Sequence, residues 1–337
     1  IQAHQLEKGS IRITQYQSDN LIVPLIKDVL ESPLAGTTGI LTKTNEDAVF
    51  IACLLQEQGM PVRLVQTNSG NFYLGDLDEI RYFNRALDLS QDTHLIDDER
   101  WETAKRCLKR EFGHAQSWEI CRNIILNFEQ VYSRKYHSDW TNYLFESKLE
   151  DFYPVQGEAI VVSTIHKAKG KEFDNVFLLL TNIESLSDEK KREVYVAITR
   201  AKQNLSIHTN GHYLSNIANG LAEYRINSNT YPAPQSLCYT LTHRDLWLDF
   251  FIDSHCQAAI NTLKNGMSLR LTEKGCTDFS NNEILRFSKK FKDILNELIQ
   301  KDYKLEKASV NFVVYWEKQE DKKEAKIVLP KVVFKKV

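Results

Sequence analysis

Apolar and polar residues alternate over residues 11–17 (IRITQYQ), the period of a strand with one buried face. Residues 19–31 switch to helical spacing, with Leu21, Ile22, Leu25, Ile26, Val29 and Leu30 on one side. The run Gly36-Thr37-Thr38-Gly39 predicts a turn, and residues 39–42 (GILT) a short buried strand. Asn45 reads as the N-cap of a helix through about Gln58, which Gly59 ends; residues 62–65 form the next strand. Strand, helix, strand, helix, strand is the order of an α/β layer built on a parallel sheet.

From about Leu77 to Tyr153 the period is helical throughout, over 78–89, 97–112, 117–133 and 138–150. Strand signals return at 158–165 (EAIVVSTI) and 174–181 (DNVFLLLT), followed by a helix at 188–202 and a strand at 204–208. An α/β domain is therefore expected in two parts, residues 1–76 and 155–230, split by an all-helical insertion at 77–154. Residues 229–236 (NTYPAPQS) read as a linker. Beyond it, helices at about 243–264 and 281–301 and strands at about 308–316 and 325–335 predict a small α+β module over 236–337. Its last strand suits a barrel-like fold, and Pro330 demands an edge or a bulge there.

A length of 337 residues allows two domains or slightly more. Charge narrows the picture further. With 43 Lys and Arg against 45 Asp and Glu, the chain has no bulk attraction for nucleic acid, so any such contact must come from local clusters. Six scattered cysteines, none in a CxxC pair, argue against zinc and suit a reducing compartment. No apolar run is long enough to span a membrane and no signal peptide is evident, so a cytoplasmic protein is expected. The chain opens on Ile1 rather than Met and reads as a piece of a longer protein.

Two segments carry chemistry. In residues 162–179 (VSTIHKAKGKEFDNVFLL) a buried strand runs into a loop of Thr, His, Lys and Gly before a second buried strand. Open α/β sheets place ligands at such strand ends, and Gly170 permits a tight turn beside Lys167, Lys169 and Lys171. Physics alone allows a solvated loop equally well. In residues 192–208 (REVYVAITRAKQNLSIH) a helix carries Val194, Tyr195, Ile198 and Ala201 on its apolar side, with Arg200 and Lys202 near its C-terminal end. Simple stabilisation of the helix dipole would explain those cations.

Together, Thr164-Ile165-His166-Lys167-Ala168-Lys169-Gly170-Lys171-Glu172-Phe173 and Tyr195-Val196-Ala197-Ile198-Thr199-Arg200-Ala201-Lys202 resemble motifs V and VI of the UvrD, Rep and PcrA type of superfamily-1 DNA helicases. Lys43-Thr44-Asn45 is similar to a strand-ending triplet of the same family. The resemblance covers about residues 10–90 and 155–210. It implies the second of two RecA-like, P-loop NTPase-like domains, which sandwich ATP and Mg2+ and draw single-stranded DNA along. In that setting Arg200 is the arginine finger, stabilising charge on the transferring phosphoryl group. Glu172 matches a ribose-binding position, Gly170 lets the backbone approach the nucleotide, and Lys169 could serve nucleotide or DNA. Thr164 and His166 match DNA contacts, and Lys43 is a further candidate.

The sequence has no GxxxxGK[ST] loop to cradle phosphate. Residues 93–100 (THLIDDER) imitate a Walker B strand, but Asp97 or Asp98 suits a helix N-cap. ATP and Mg2+ are thus expected to be bound mainly by a first RecA-like domain outside this chain, with the chain alone silent as an ATPase. DNA repair is the associated process. A non-catalytic docking or nucleic-acid-binding module of UvrD type is the alternative. In the tail, residues 286–304 interleave Lys with Phe287, Phe291, Ile294 and Leu295, which suits an amphipathic helix with a solvated basic face or an accessory DNA- or protein-binding surface.

Overall fold

A computed structural model describes residues 9–65, 73–88, 94–152, 159–181, 187–216, 222–253 and 255–337. The chain divides into two compact units, and each draws on two separate stretches of sequence.

The first unit takes residues up to 66 and 155–237. Its N-terminal half runs β1 (Ser10–Tyr16), α1 (Ile22–Glu31), β2 (Thr38–Thr42), α2 (Asn45–Glu57) and β3 (Val62–Val65). The intervening segment, which belongs to the second unit, supplies α3 (Asp78–Ala86), β4 (Leu95–Ile96), α4 (Asp98–Phe112), α5 (Trp118–Val131), β5 (Lys135–Tyr136) and α6 (His137–Glu146). The chain then returns to the first unit with β6 (Ile160–Thr164), β7 (Phe173–Leu180), α7 (Asp188–Ile198), β8 (Ala201–Thr209) and β9 (Glu223–Asn227). Seven strands form one sheet in the order β3-β6-β2-β7-β8-β1-β9, parallel at every pairing.

Both faces of this sheet are covered, as parallel sheets require. On one face α1 and α2 bury Leu25, Val29, Ile51 and Leu55 against Ile40, Val162, Phe177 and Leu179. On the other, Val194 and Ala197 of α7, with Ile165 and Ala168, pack on Leu41, Leu178, Leu205 and Ile207. Two-sided burial explains one difference from the sequence pattern. Thr14 and Gln15 of β1 are buried too, and Gln15 is satisfied by His212 and Tyr224. Strand β9 was not anticipated.

Local signals were read to within a few residues. The cap of α2 is Thr44 rather than Asn45, because the Thr44 hydroxyl accepts from Asp47 N at 3.1 Å. Asp97 caps α4 by accepting from Arg100 N at 2.8 Å, and Leu95–Ile96 is only a two-residue strand paired with Lys135–Tyr136. That small bridge is the one strand pairing within the helical segment among the described residues. Helix α7 stops at Ile198, so Arg200 lies in the following turn and Lys202 in β8. Tyr195 is 56% exposed rather than on the apolar side.

The second unit joins the helical segment to the C-terminal residues. The chain continues with β10 (Ser236–Thr240), α8 (Asp249–Asp253), α9 (Cys256–Ile260), β11 (Ser268–Leu271), β12 (Gly275–Thr277), β13 (Glu283–Arg286), α10 (Lys289–Gln300), β14 (Tyr303–Glu317) and β15 (Glu324–Lys336). The sheet order is β10-β15-β14-β11-β12-β13, with β14 and β15 a long antiparallel hairpin. The helix expected over 243–264 is broken into short pieces, and the start of the one expected at 281–301 is strand β13. Pro330 is not on an edge strand. It faces a register shift between Val310 and Phe312, the bulge that its missing N–H tolerates.

An aromatic cluster fills the helical half. The Phe83, Trp101, Phe128 and Trp140 rings pack with centroids 5.0–5.6 Å apart, all essentially inaccessible. The helical segment and the C-terminal residues are separate in the sequence reading, but they touch: Lys326 Nζ of β15 lies 2.8 Å from Asp78 Oδ1, and Lys264 Nζ, after α9, lies 2.7 Å from Glu111 Oε1. No described helix is long and apolar enough to cross a membrane.

Candidate functional site

The connection from β6 to β7 organises the site. Strand β6 ends at Thr164, level with Thr42 at the end of β2, so these two residues mark the C-terminal edge of the sheet. Residues 165–168 form one 3-10 turn, and the chain re-enters the sheet at Phe173, beside Ala201 at its N-terminal edge. Eight residues thus run from one edge of the sheet to the other, and the candidate residues are divided between the two ends.

At the C-terminal edge stand Thr164, nearly buried, and Lys43, exposed just beyond β2. Thr42 Oγ1 donates to Thr44 O at 2.8 Å, which fixes the backbone that presents Lys43. His166 follows Thr164 on the 3-10 turn with its ring largely exposed, and its Nε2 lies 3.5 Å from Glu193 Oε1 on α7.

Near the N-terminal edge stand Lys169, Gly170 and Glu172, all exposed, with Arg200. Gly170 has φ +85, and nothing lies within 4 Å of where a Cβ would be. Glycine is needed there for the left-handed backbone and not for close packing. Glu172 Oε2 is 3.9 Å from Lys202 Nζ. The Arg200 side chain is held by its own chain. Nε donates to Val196 O at 3.0 Å, Nη1 to Lys171 O at 3.1 Å, and Nη2 to Thr199 Oγ1 at 3.2 Å. Val196 is in the last turn of α7, so Arg200 does satisfy a helix-end carbonyl, though from outside the helix. Phe173 N donates to Arg200 O at 2.8 Å, tying the two motif segments together.

A family model for the UvrD-like helicase C-terminal domain matches residues 140–212. Residues 140–212 are UvrD-like. The match spans Thr164, His166, Lys169, Gly170, Glu172 and Arg200 and leaves Lys43 outside. No curated protein matches the chain.

Residues that support these two segments escaped the sequence reading. Gly39 lets the Phe173 ring rest on β2, since a Cβ at 39 would sit 2.6 Å from that ring. Asp174 accepts from both Thr37 N and Thr37 Oγ1 at 2.8 Å, and these bonds hold its carboxyl below the usual range. Asn175, Asn204 and Ser10, side by side on β7, β8 and β1, are joined by Asn204 Nδ2 to Asn175 Oδ1 at 2.8 Å and Ser10 Oγ to Asn204 Oδ1 at 2.7 Å. Polar residues on strands read as solvent-facing, so nothing in the pattern marked this polar row at the edge that carries Arg200.

Arg200 uses three of its five N–H donors within the described residues, and Lys169 and the Gly170 turn are open beside it. Among the described residues no group of three His, Cys, Asp or Glu is placed to hold a metal ion.

Proposed function

We propose that this chain is the arginine-finger half of an ATP-driven DNA helicase or translocase, its first unit being the second RecA-like domain of the motor. The observation that carries the reading is that one short connection brings candidate residues to both edges of the sheet. Thr164, His166 and Lys43 cluster towards the C-terminal edge, where a hydroxyl, an imidazole and an ammonium suit the phosphates and bases of a single strand without reading sequence. Gly170, Glu172, Lys169 and Arg200 lie towards the opposite edge and would hold the outer face of ATP bound mainly by a first RecA-like domain. Bound ATP supplies the phosphoryl group and its Mg2+ the charge neutralisation. This chain's part is a guanidinium at the transferring phosphate and a backbone turn beside the nucleotide. A strand moving at one end and a nucleotide at the other would then be linked through residues 165–172.

A second reading has a specific observation behind it. Three intramolecular hydrogen bonds to Arg200 would equally suit a UvrD-type platform that docks nucleic acid or protein without catalysis. Steady-state ATPase of the parent protein, with and without single-stranded DNA, separates the two. The motor reading expects DNA-stimulated turnover that falls by about a thousandfold in Arg200→Ala while strand binding survives. A parent without ATPase, or one whose Arg200→Ala variant turns over normally, refutes it.

A further inference from the structure

The second unit holds a cavity of about 440 Å3 in its C-terminal part, between the end of β13 and helices α8 and α9. Trp247 and Phe250 line it, with Arg286, Asn282 and Asp249. Trp247 is 48% exposed, whereas Trp101 and Trp140 are buried. Arg286 is locked in place: Glu283 accepts from Nε at 3.1 Å and from Nη2 at 2.6 Å. Its guanidinium carbon lies 4.9 Å from the Phe250 centroid and 5.5 Å from that of Trp247.

We propose that this cavity is a stacking site for an unpaired base of single-stranded nucleic acid. The site is a binding surface separate from the motif residues. It shares with the motor reading only the class of ligand.

Three features select a flat, neutral ring. Planar groups, the Trp247 indole and the Arg286 guanidinium, border the cavity, and a base stacks on either. Its charges are already paired, Glu283 with Arg286 and Asp249 with Lys318 at 2.7 Å, so the interior does not draw a phosphate. A cation such as a methylated lysine is disfavoured as well, because the Arg286 guanidinium already sets a positive charge against both rings and would repel it.

The C-terminal module as a whole favours a polyanion, although the cavity lining itself carries Asp249 and Glu283 beside Arg286. Residues 238–337 hold 18 Lys and Arg against 14 Asp and Glu, in a chain that is net acidic. Lys289 and Lys290 open α10, three and four residues after Arg286 ends β13, and Lys274 O accepts from Phe287 N. A second arginine-faced ring stands in the turn between β12 and β13. Phe279 is 63% exposed with the Arg270 guanidinium carbon 5.2 Å from its centroid, and Arg270 Nη1 donates to Asn281. The turn that carries Phe279 also brings Asn282 to the cavity. Sheets that bind single strands combine such rings with a basic surround.

The test is fluorescence anisotropy at fixed salt with the full chain and two labelled probes. One probe is oligothymidylate; the other is an abasic strand with the same number of phosphates. Trp247→Ala is expected to weaken oligothymidylate binding about tenfold and leave the abasic probe unchanged. Trp247→Phe keeps a ring and should retain most of the affinity. Arg286→Lys keeps the charge but loses the planar face and should resemble Trp247→Ala. Circular dichroism checks that each variant is folded. Equal affinities for wild type and Trp247→Ala overturn the proposal, as does an equal loss on both probes or displacement of the strand by a trimethyl-lysine peptide. Lys43→Ala/Thr164→Ala tests the other unit. If it loses binding and Trp247→Ala does not, the stacking site falls and the motif reading stands; the reverse result removes the motif contacts and keeps the stacking site.

Discussion

The most quantitative consequence of the fold lies under α1. Asp28 accepts from Arg12 Nη2 at 2.5 Å, from Ser206 Oγ at 2.8 Å and from His208 Nε2 at 3.0 Å. His208 Nδ1 then accepts the Tyr16 hydroxyl at 2.8 Å, which sets the neutral Nε2–H tautomer. Burial pushes the Asp28 carboxyl up, but hydrogen bonds from His208 and Ser206 and the Arg12 charge outweigh it and hold it at about 2. Its ordinary value is 3.8, so ionisation of Asp28 favours the folded state by about 2 kcal/mol at neutral pH. The sign follows from proton binding. Between pH 4 and 2 the unfolded chain takes up a proton that folded Asp28 refuses, so stability is complete above about pH 4 and is lost as pH falls through about 2. His208 acts in a higher window. Burial lowers its pKa, so the unfolded chain gains a proton first below about 6.5 and stability falls there too. Asp28→Asn removes the first contribution. Urea unfolding followed by circular dichroism at pH 7, 5 and 3 should find the variant less stable by about 2 kcal/mol at pH 7, with the gap closing towards pH 3. A gap that stays constant from pH 7 to 3 would refute the electrostatic account and leave packing as the cause.

Two further substitutions test local inferences. Gly170→Ala meets no neighbour but must hold φ +85, so a loss of about 1 kcal/mol is expected, read as a lower melting temperature; an unchanged melting temperature would show that the turn relaxes. Lys326 and Asp78 are both largely buried, so Lys326→Met should cost about 3 kcal/mol while Lys326→Met/Asp78→Leu recovers most of it. The near-UV signal of the aromatic cluster reports both unfolding midpoints, and equal losses in the single and double variants would contradict a buried ion pair.

The central strands of the sheet were legible because they are buried on both faces. Continuous apolar runs such as Val176 to Leu180 have one reading once turn residues bound them. The C-terminal module was harder. Residues 281–286 share charges and apolar positions with the helix that follows, and only pairing of Glu283–Arg286 with Gly275–Thr277 makes them a strand. Short strands held by partners distant in sequence leave no periodic trace. Within the candidate site the motif residues were identified, but their separation into two edges was not, because spacing along a chain does not say which end of a parallel sheet a loop returns to. The network around Asp28 was invisible for a related reason. Arg12, Asp28, Ser206 and His208 sit on three elements, and each alone is an unremarkable polar residue.

The posture of Arg200 bears on how a motor half could work. A long arginine side chain loses up to about 2 kcal/mol of conformational freedom when it is ordered. Here Val196 O, Lys171 O and Thr199 Oγ1 already order it, so that cost belongs to folding and not to the catalytic step. One N–H on each of Nη1 and Nη2 is left over, a pair suited to two oxygens of one phosphoryl group. The structural and catalytic readings of this residue are therefore compatible. The bond to Lys171 O ties the guanidinium to the β6–β7 connection, so a shift of that connection caused by the strand near Thr164 would be felt at Arg200. A two-residue consequence follows. Thr199→Ala removes one of the three restraints without touching the guanidinium, and in the parent protein it should lower turnover several-fold while nucleotide affinity stays the same. An unchanged turnover would mean that the restraint serves the fold alone.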